Sequence, residues 1–309
     1  MTRLLKNREA ALALIILALV AGIGIYAPAF VSLANIVRVL NDTSILAMLA
    51  LAQMMVILTR GIDLSTASTL ALAGMISASL AQYHPDLPVI AYIALAIAVG
   101  LVLGMINGGL ISALGIPPIV VTLGTLAVYR GLIVVYGGGN QVNASEMGDT
   151  FQSFPKLELF GLSTLFWIML VVALAVWVFL AMTRTGRGLY AAGGNPVAAR
   201  YCGIDLPRQQ FLVYTVSGAI SGLCGYLWVS RYGVAYSEIA SGYELTVIAA
   251  CVIGGVSIAG GVGSVAGTLL GALFLGVIVN ALPVMQITPF WQMAISGAVI
   301  LAAVVVNAR

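Results

Sequence analysis

Uncharged runs of roughly 20 residues recur along the chain and constrain its fold more than any other feature of its 309 residues. A helix rises 1.5 Å per residue, so roughly 20 apolar residues cross a hydrocarbon core about 30 Å thick. Only 7% of the residues are Asp, Glu, Lys or Arg, whereas 61% are hydrophobic. Ordinary soluble domains carry about 25% charged residues. The sequence therefore predicts an all-α, polytopic membrane protein.

Charged residues and Gly- or Pro-rich breaks divide these runs into about ten predicted transmembrane helices. The longest runs must be divided because they exceed one crossing. The predicted spans are, in chain order, one within each of 10–28, 42–60 and 63–84, two within 87–129, one ending at 182, one within 208–231 and three within 245–307.

The distribution of Lys and Arg predicts the orientation, because cytoplasmic segments retain these residues. With the N-terminus inside, both termini are cytoplasmic, and the first span is interpreted as an uncleaved signal-anchor. The acidic, Gly-rich loop at about 137–160 is then periplasmic. The basic residues on predicted cytoplasmic segments are Arg3, Lys6, Arg8, Arg60, Arg184, Arg187, Arg200, Arg208 and Arg309.

The sequence contains few of the residues and motifs that are typical of catalytic sites. The one histidine, His84, lies in a short polar turn, and the sequence contains no P-loop. Cys224 and Cys251 lie within spans and are predicted to be buried apolar thiols. We therefore expect no enzymatic activity, no cofactor and no metal. The net charge of +3 reflects the inside bias and predicts no nucleic-acid binding.

The cytoplasmic loop at about 183–208 carries the signals of a short separate helix. Asn195 suits the N-cap, Pro196 the first helical position, and Gly203 the left-handed C-terminal position. Such a helix could be gripped by a soluble partner, or it could lie on the membrane surface. Its predicted apolar face comprises Val197, Ala198 and Tyr201.

A short sequence pattern that occurs twice predicts an inverted repeat. Residues 61–65 (GIDLS) open span three from the inside, and residues 242–246 (GYELT) open span eight from the outside. Spans 2–5 and 7–10 would then be related by a pseudo-two-fold axis, with a pathway at their interface. The alternative is that Asp63 and Glu244 only cap helix N-termini, where the helix dipole favours an acid.

Two further polar residues lie in or beside the predicted spans. Asn107 lies beside a stripe formed by Gly100, Gly104 and Gly108, which predicts close packing with a neighbouring helix. Its amide could bond across helices or to a polar solute. Arg130 lies in the outer part of span five and could either extend toward the headgroups or face a pathway.

Five stretches in order resemble one known family: 58–65 (LTRGIDLS), 122–126 (TLGTL) with 129–131 (YRG), 186–195 (GRGLYAAGGN), 242–245 (GYEL) and 254–261 (GGVSIAGG). Over nearly its whole length the chain resembles the permease subunits of bacterial ABC importers for monosaccharides. These comprise the ribose permease group and its relatives for autoinducer-2 and rhamnose. The chain departs from ribose permeases after Ser65, where Thr66-Ala67-Ser68 replaces Val-Gly-Ser.

The resemblance implies a single permease domain over 1–309 in the bacterial inner membrane. It also implies partners: a second permease copy or paralogue, a cytoplasmic ATPase with two fused nucleotide-binding domains, and a periplasmic sugar-binding protein. The ATPase-coupling residues would be Gly194, Asn195, Pro196, Val197, Ala198, Arg200, Tyr201 and Gly203. The candidate pathway residues are Asp63, Asn107, Thr122, Arg130 and Glu244.

Two alternative functions stay open. Permeases for branched-chain amino acids or nucleosides resemble this group in assembly. An ion-coupled secondary carrier is a more distant alternative, because such carriers place acids or bases at mid-membrane, whereas every acid here lies at a span end or in a loop.

Overall fold

The computed structural model describes residues 8–288, 290–292, 294–295 and 297–298. The fold of these residues is helical, as predicted. The helices are α1 (Arg8–Tyr26), α2 (Leu33–Leu58), α3 (Thr66–Tyr83), α4 (Val89–Leu114), α5 (Pro118–Gly137), α6 (Asp149–Ser153), α7 (Thr164–Met182), α8 (Arg184–Gly194), α9 (Pro196–Tyr201), α10 (Leu206–Tyr232), α11 (Tyr243–Ile253) and α12 (Val265–Val284).

Short antiparallel strands occur in two of the connections. Strand β1 (Val142–Asn143) pairs with β4 (Val234–Ala235), which joins the loop after α5 to the loop after α10. Strand β2 (Glu158–Leu159) pairs with β3 (Leu162–Ser163) just before α7.

Seven of the described helices are long and apolar enough to cross a membrane: α1, α2, α4, α5, α7, α10 and α12. Helix α3 is long enough but is not counted, because several Ser and Thr residues lower its mean hydropathy. Helix α11 has 11 residues, which span only about 16 Å. Much of the last predicted span lies outside the described residues. The total of ten therefore stays a prediction.

Two helices continue past the charges that were expected to bound their spans. Helix α2 begins at Leu33 and includes Arg38 and Asp42. Arg38 forms an ion pair with Asp42 one turn away, at 3.7 Å, and Arg231 of α10 binds the same carboxylate. Arg208 and Arg231 likewise lie inside α10, so both helices are longer than the spans that were predicted between these charges.

The outer and central helices differ in burial. Many large side chains of α5 and α7 project outward; Val135 is 80% exposed and Val171 is 66% exposed. Helices α2 and α3 are instead buried along most of their length. Since lipid accepts apolar side chains and excludes polar ones, the outer helices suit the bilayer and the polar side chains collect at the centre.

Close packing of α4 against α10 confirms the predicted glycine stripe. A Cβ atom at Gly100 would collide with the backbone of Gly218 and Gly222, and one at Gly104 would collide with the backbone of Tyr214. Small residues let two helix backbones approach within this distance. The α4–α10 pair thus forms a close seam beside the polar centre.

The molecule has two ends, which we name by their elements. The α9 end contains α8, α9, the end of α2, the start of α10 and the segment 254–264, which contact one another. The far end contains the loops 138–163 and 233–242, joined by β1 and β4. Five of the basic residues expected inside lie in α9-end segments: Arg60, Arg184, Arg187, Arg200 and Arg208. Arg8, at the start of α1, lies beside Gly255 of segment 254–264. Arg3, Lys6 and Arg309 lie outside the described residues.

Candidate functional site

Helix α9 forms where the sequence predicts it. The Asn195 side chain accepts a hydrogen bond from the Ala198 amide at 3.0 Å, and Pro196 occupies the first helical position. Gly203 follows the helix with a φ of +79°. The side chain and the backbone geometry therefore fix both ends of a helix too short to be stable alone.

The surface of α9 is strongly exposed. Tyr201 is 89% exposed and Val197 is 64% exposed, whereas Ala199 on the inner side is buried. We call the outward residues the α9 surface: Val197, Ala198, Arg200 and Tyr201. Exposed aromatic and aliphatic side chains beside an Arg are the residue types that protein interfaces favour.

Helix α8 was missed by the sequence analysis, which treated its residues as an irregular loop. Thr183 caps it by accepting a hydrogen bond from the Gly186 amide at 2.9 Å. That Thr is the one sequence signal that could have revealed the helix. The glycines of α8 argued against it because each lowers helix propensity. They are tolerated because Gly186 and Gly193 pack directly against backbone.

Arg60 joins α8 to the end of α2. Its Nε donates to the Gly193 carbonyl at 2.6 Å, and its second guanidinium nitrogen donates to the Gly194 carbonyl at 3.1 Å. These carbonyls end α8, where the helix dipole attracts a cation. Arg60 adopts a φ of +65°, which residues other than Gly rarely adopt. We call these contacts the Arg60 junction.

Two further contacts join α2 and α8 to segment 254–264. The Gly261 amide donates to the Leu58 carbonyl at 3.0 Å, and the Tyr190 hydroxyl of α8 donates to the Gly263 carbonyl at 3.2 Å. Burial raises the pKa of Tyr190, so its hydroxyl keeps the proton that it donates. Helix α8 is consequently bound to the transmembrane part on two sides.

Asp63 lies just beyond the Arg60 junction and is 3% exposed. One carboxylate oxygen accepts from the Ser65 amide at 2.9 Å and from the Ser65 hydroxyl at 2.6 Å. The other accepts from the Ser217 hydroxyl of α10 at 3.3 Å. Among the described residues, no Lys or Arg forms an ion pair with Asp63. Neutral donors alone satisfy this buried carboxylate.

The hydrogen bonds around Asp63 extend to α4 and α5. The Asn107 amide donates to the Ser65 hydroxyl at 2.8 Å and accepts from the Tyr129 hydroxyl at 3.3 Å. Thr122 donates to the Ile62 carbonyl at 3.1 Å. We call this group the Asp63 network: Asp63, Ser65, Asn107, Thr122, Tyr129 and Ser217.

The structure thus brings three of the five candidate pathway residues together, namely Asp63, Asn107 and Thr122. The sequence analysis missed Ser217 and the role of the Tyr129 hydroxyl. Tyr129 belongs to a quoted stretch of sequence, but nothing in the sequence indicates Ser217, whose partner lies 154 residues away.

Arg130 and Glu244 lie elsewhere, toward the far end. One guanidinium nitrogen of Arg130 donates to the carbonyls of Ser237 and Ile239, at 2.8 Å each. Its charge also interacts with those of Glu238 and Glu244. The guanidinium therefore binds the loop 233–242. Glu244 is half-buried in the first turn of α11.

The two cysteines that were predicted to be buried are buried. Cys224 and Cys251 are fully buried, whereas Cys202 is exposed at the C-terminal end of α9. The exposed thiol lies beside the α9 surface and provides a natural label for it.

These features define a multi-pass membrane protein of the transport class, with an exposed helix at one basic end joined to a buried polar network. The chain belongs to the family described as branched-chain amino acid transport system, permease component, which it matches over residues 35–304. The resemblance to importer permeases is confirmed. No solved structure matches the chain significantly.

Curated relatives match nearly the whole chain. The ribose import permease of Escherichia coli strain K12 is 37% identical over 94% of this chain and 91% of its own length. The galactose/methyl galactoside import permease of the same strain is 34% identical over 97% and 94%. The autoinducer 2 import permease of Enterobacter sp. strain 638 is 36% identical over 100% and 89%.

Proposed function

We propose that this permease carries a monosaccharide or a similar small hydroxylated solute inward, driven by a separate ATPase that binds α9. The observation that carries the proposal is the connection of the exposed α9 surface, through α8 and Arg60, to the buried Asp63 network. The names of the relatives, which import ribose, galactosides or autoinducer 2, support the solute class.

The α9 surface contacts the ATPase in this proposal. Val197, Ala198 and Tyr201 supply the apolar contact, and Arg200 supplies charge at its rim. Asn195, Pro196 and Gly203 shape the helix that presents them, and Gly194 ends α8 beside it. The ATPase must bind α9 more tightly in one conformation of the permease than in the other. A partner that binds both conformations equally does not shift the equilibrium between them.

The Arg60 junction transmits the movement of α9. Helix α8 runs directly into α9, and its last carbonyls are held by Arg60. The backbone then continues through Ile62 and Asp63 into α3. A shift of α8 therefore pulls on the segment whose hydrogen bonds hold α3, α4, α5 and α10 together.

The five pathway candidates divide between the two ends. Asp63, Asn107 and Thr122 form a gate at the α9 end, since all three are buried and their bonds must rearrange before a solute passes. Arg130 and Glu244 act at the far end, where Arg130 holds the loop 233–242.

The inverted repeat is supported by an exchange of partners between helices. Helix α4 packs against α10, and α12 packs against α2; likewise α3 packs against α10, and α11 packs against α2. This is the pattern expected when α2 to α4 correspond to α10 to α12. The relation of spans 2–5 to spans 7–10 is part of the proposal.

The assembly that we propose has two permease copies or paralogues, an ATPase with two fused nucleotide-binding domains and a periplasmic sugar-binding protein. The single domain of 1–309 lies in the bacterial inner membrane with both termini in the cytoplasm. The α9 end then faces the cytoplasm, and the far end, with the loop at about 137–160, faces the periplasm. The cluster of basic residues at the α9 end supports this orientation.

Reconstitution tests the proposal. The chain, the ATPase that copurifies with it and the cognate binding protein are placed in one set of proteoliposomes, and the chain alone in another. We expect ATP-dependent uptake of ribose or galactose by the first set and none by the second. Uptake by the chain alone under a proton or sodium gradient would show a secondary carrier and refute the proposal.

A pair of matched variants locates the coupling site. Ala198→Asp places a charge on the α9 surface, and Ala191→Asp places the same charge on an exposed position of α8. We expect ATP-dependent uptake to be abolished in the first variant and retained in the second, with equal membrane insertion. Unimpaired uptake by Ala198→Asp would contradict docking at α9.

A permease for branched-chain amino acids is the second candidate, because the matching family carries that description. The same proteoliposomes discriminate between the two when leucine replaces the sugar. ATP-dependent uptake of leucine without uptake of either sugar would favour this candidate.

A further inference from the structure

A polar cavity of about 620 Å³ lies at the far end, between the last turns of α3 and α5 and the loop that follows α5. Its volume falls within the range of about 300–1,000 Å³ that small-molecule sites occupy. Helix α3 begins in the Asp63 network and ends at this cavity, and α5 carries Thr122 near one end and Tyr136 near the other. The cavity and the proposed gate therefore share two helices.

Neutral hydrogen-bonding groups dominate the lining of the cavity. The described lining residues include no Lys or Arg. The one carboxylate, Glu146, already accepts from the Gln82 amide at 2.8 Å and from the Asn143 backbone amide at 2.8 Å. The lining amides and hydroxyls are Ser79, Gln82, Asn140, Gln141, Asn143 and Ser145.

Several lining groups are free to bind a ligand. Asn140 and Gln141 are exposed, and their side-chain amides form no hydrogen bond to another described residue. Tyr83 is 76% exposed and Tyr136 is 52% exposed. Amphipathic rings such as these offer an apolar face and a polar tip to the same ligand. A molecule with C–H faces and many hydroxyls matches both kinds of group.

The lack of Lys and Arg in the described lining disfavours anionic and zwitterionic solutes. A zwitterionic amino acid needs a cation for its carboxylate, and a sugar phosphate needs one for its phosphate; the described lining supplies none. The aliphatic lining consists of Met75 and the buried Val142, so a leucine side chain would gain most of its apolar contact from the two tyrosine rings and would leave the amides without a partner. The chemistry therefore favours a neutral polyhydroxylated molecule.

We propose that this cavity is a binding site for the solute in transit, which holds a neutral monosaccharide between α3, α5 and the loop 138–146. The inference rests on the proposed function and sharpens it, because it selects sugars over amino acids from this chain alone. The site is open on one side, so binding is weak. Weak binding suits a pathway that the solute must also leave.

Saturation-transfer NMR on the purified full-length chain in lipid nanodiscs, without ATPase or binding protein, tests the site. The probes are D-ribose, D-galactose and L-leucine at millimolar concentration. We expect saturable transfer to at least one sugar and none to leucine. The Asn140→Leu/Gln141→Leu variant loses two amides, which should weaken sugar binding about tenfold.

Gln210→Leu is the matched control, since Gln210 is a half-buried amide at the α9 end; it should bind the sugar as the unaltered chain does. Tyr83→Ala is a second cavity variant whose exposed side chain can be removed without disturbing packing, and it should also weaken binding. Transfer to neither sugar, transfer unaffected by the cavity variants, or saturable transfer to leucine would overturn the inference. If ATP-dependent sugar uptake persists in that event, the proposed function stands and only the cavity assignment fails.

Discussion

Two acidic segments with the same sequence pattern lie in contrasting environments. In 61–65, Asp63 is buried and accepts three hydrogen bonds from Ser65 and Ser217. In 242–246, Glu244 is half-buried at the start of α11, where its charge interacts with Arg130. A shared pattern of acid, Leu and hydroxyl therefore does not give a shared environment.

This difference indicates which of the two acids contributes more to the stability of the fold. Asp63 satisfies donors on two elements that cannot reach water, so its loss leaves those donors unpaired. Glu244 is only half-buried, and no buried donor depends on it in the described structure. We therefore expect stability to depend on the first acid and far less on the second.

The largest effect is expected for Asp63→Ala. Removing the carboxylate leaves the Ser65 amide and the Ser217 hydroxyl without their acceptor, which should lower the free energy of unfolding by about 1–3 kcal/mol. Equilibrium unfolding in mixed detergent micelles measures the change. A stability equal to that of the unaltered chain would show that Asp63 is not a structural junction.

A smaller effect is expected for Ser217→Ala. This substitution removes one donor from α10 and leaves both Ser65 donors on Asp63, so the loss should be about 0.5–1.5 kcal/mol. The same unfolding titration measures it, with Thr215→Ala, an exposed hydroxyl of the same helix, as the control. If the two variants are equally stable, the bond across α10 contributes nothing.

The smallest effect is expected for Glu244→Gln. A half-exposed carboxylate beside an Arg that keeps two carbonyl partners should change the free energy of unfolding by less than about 0.5 kcal/mol. A loss as large as that of Asp63→Ala would remove the contrast between the two segments.

The sequence predicted those features that depend on nearby residues. Asn195, Pro196 and Gly203 suffice to predict α9, and the spacing of Gly100 and Gly104 suffices to predict close packing in α4. Uncharged runs likewise located most of the helices.

Features that depend on distant residues could not be predicted. Asp42 lies inside α2, where Arg231, 189 residues away, binds it. Two glycines of α8, Gly186 and Gly193, meet backbone of other elements, which no local pattern indicates. The Asp63 network depends on Ser217, which no local pattern indicates.

Labelling of Cys202 with a membrane-impermeant maleimide tests the central claim, that the α9 surface faces the cytosolic ATPase. Cys202 is exposed and the other two cysteines are buried, so the unaltered chain carries its own reporter. We predict labelling in inside-out vesicles, slower labelling when the ATPase is bound, and none in right-side-out vesicles. Labelling from the outside, or labelling unaffected by the ATPase, would contradict the account.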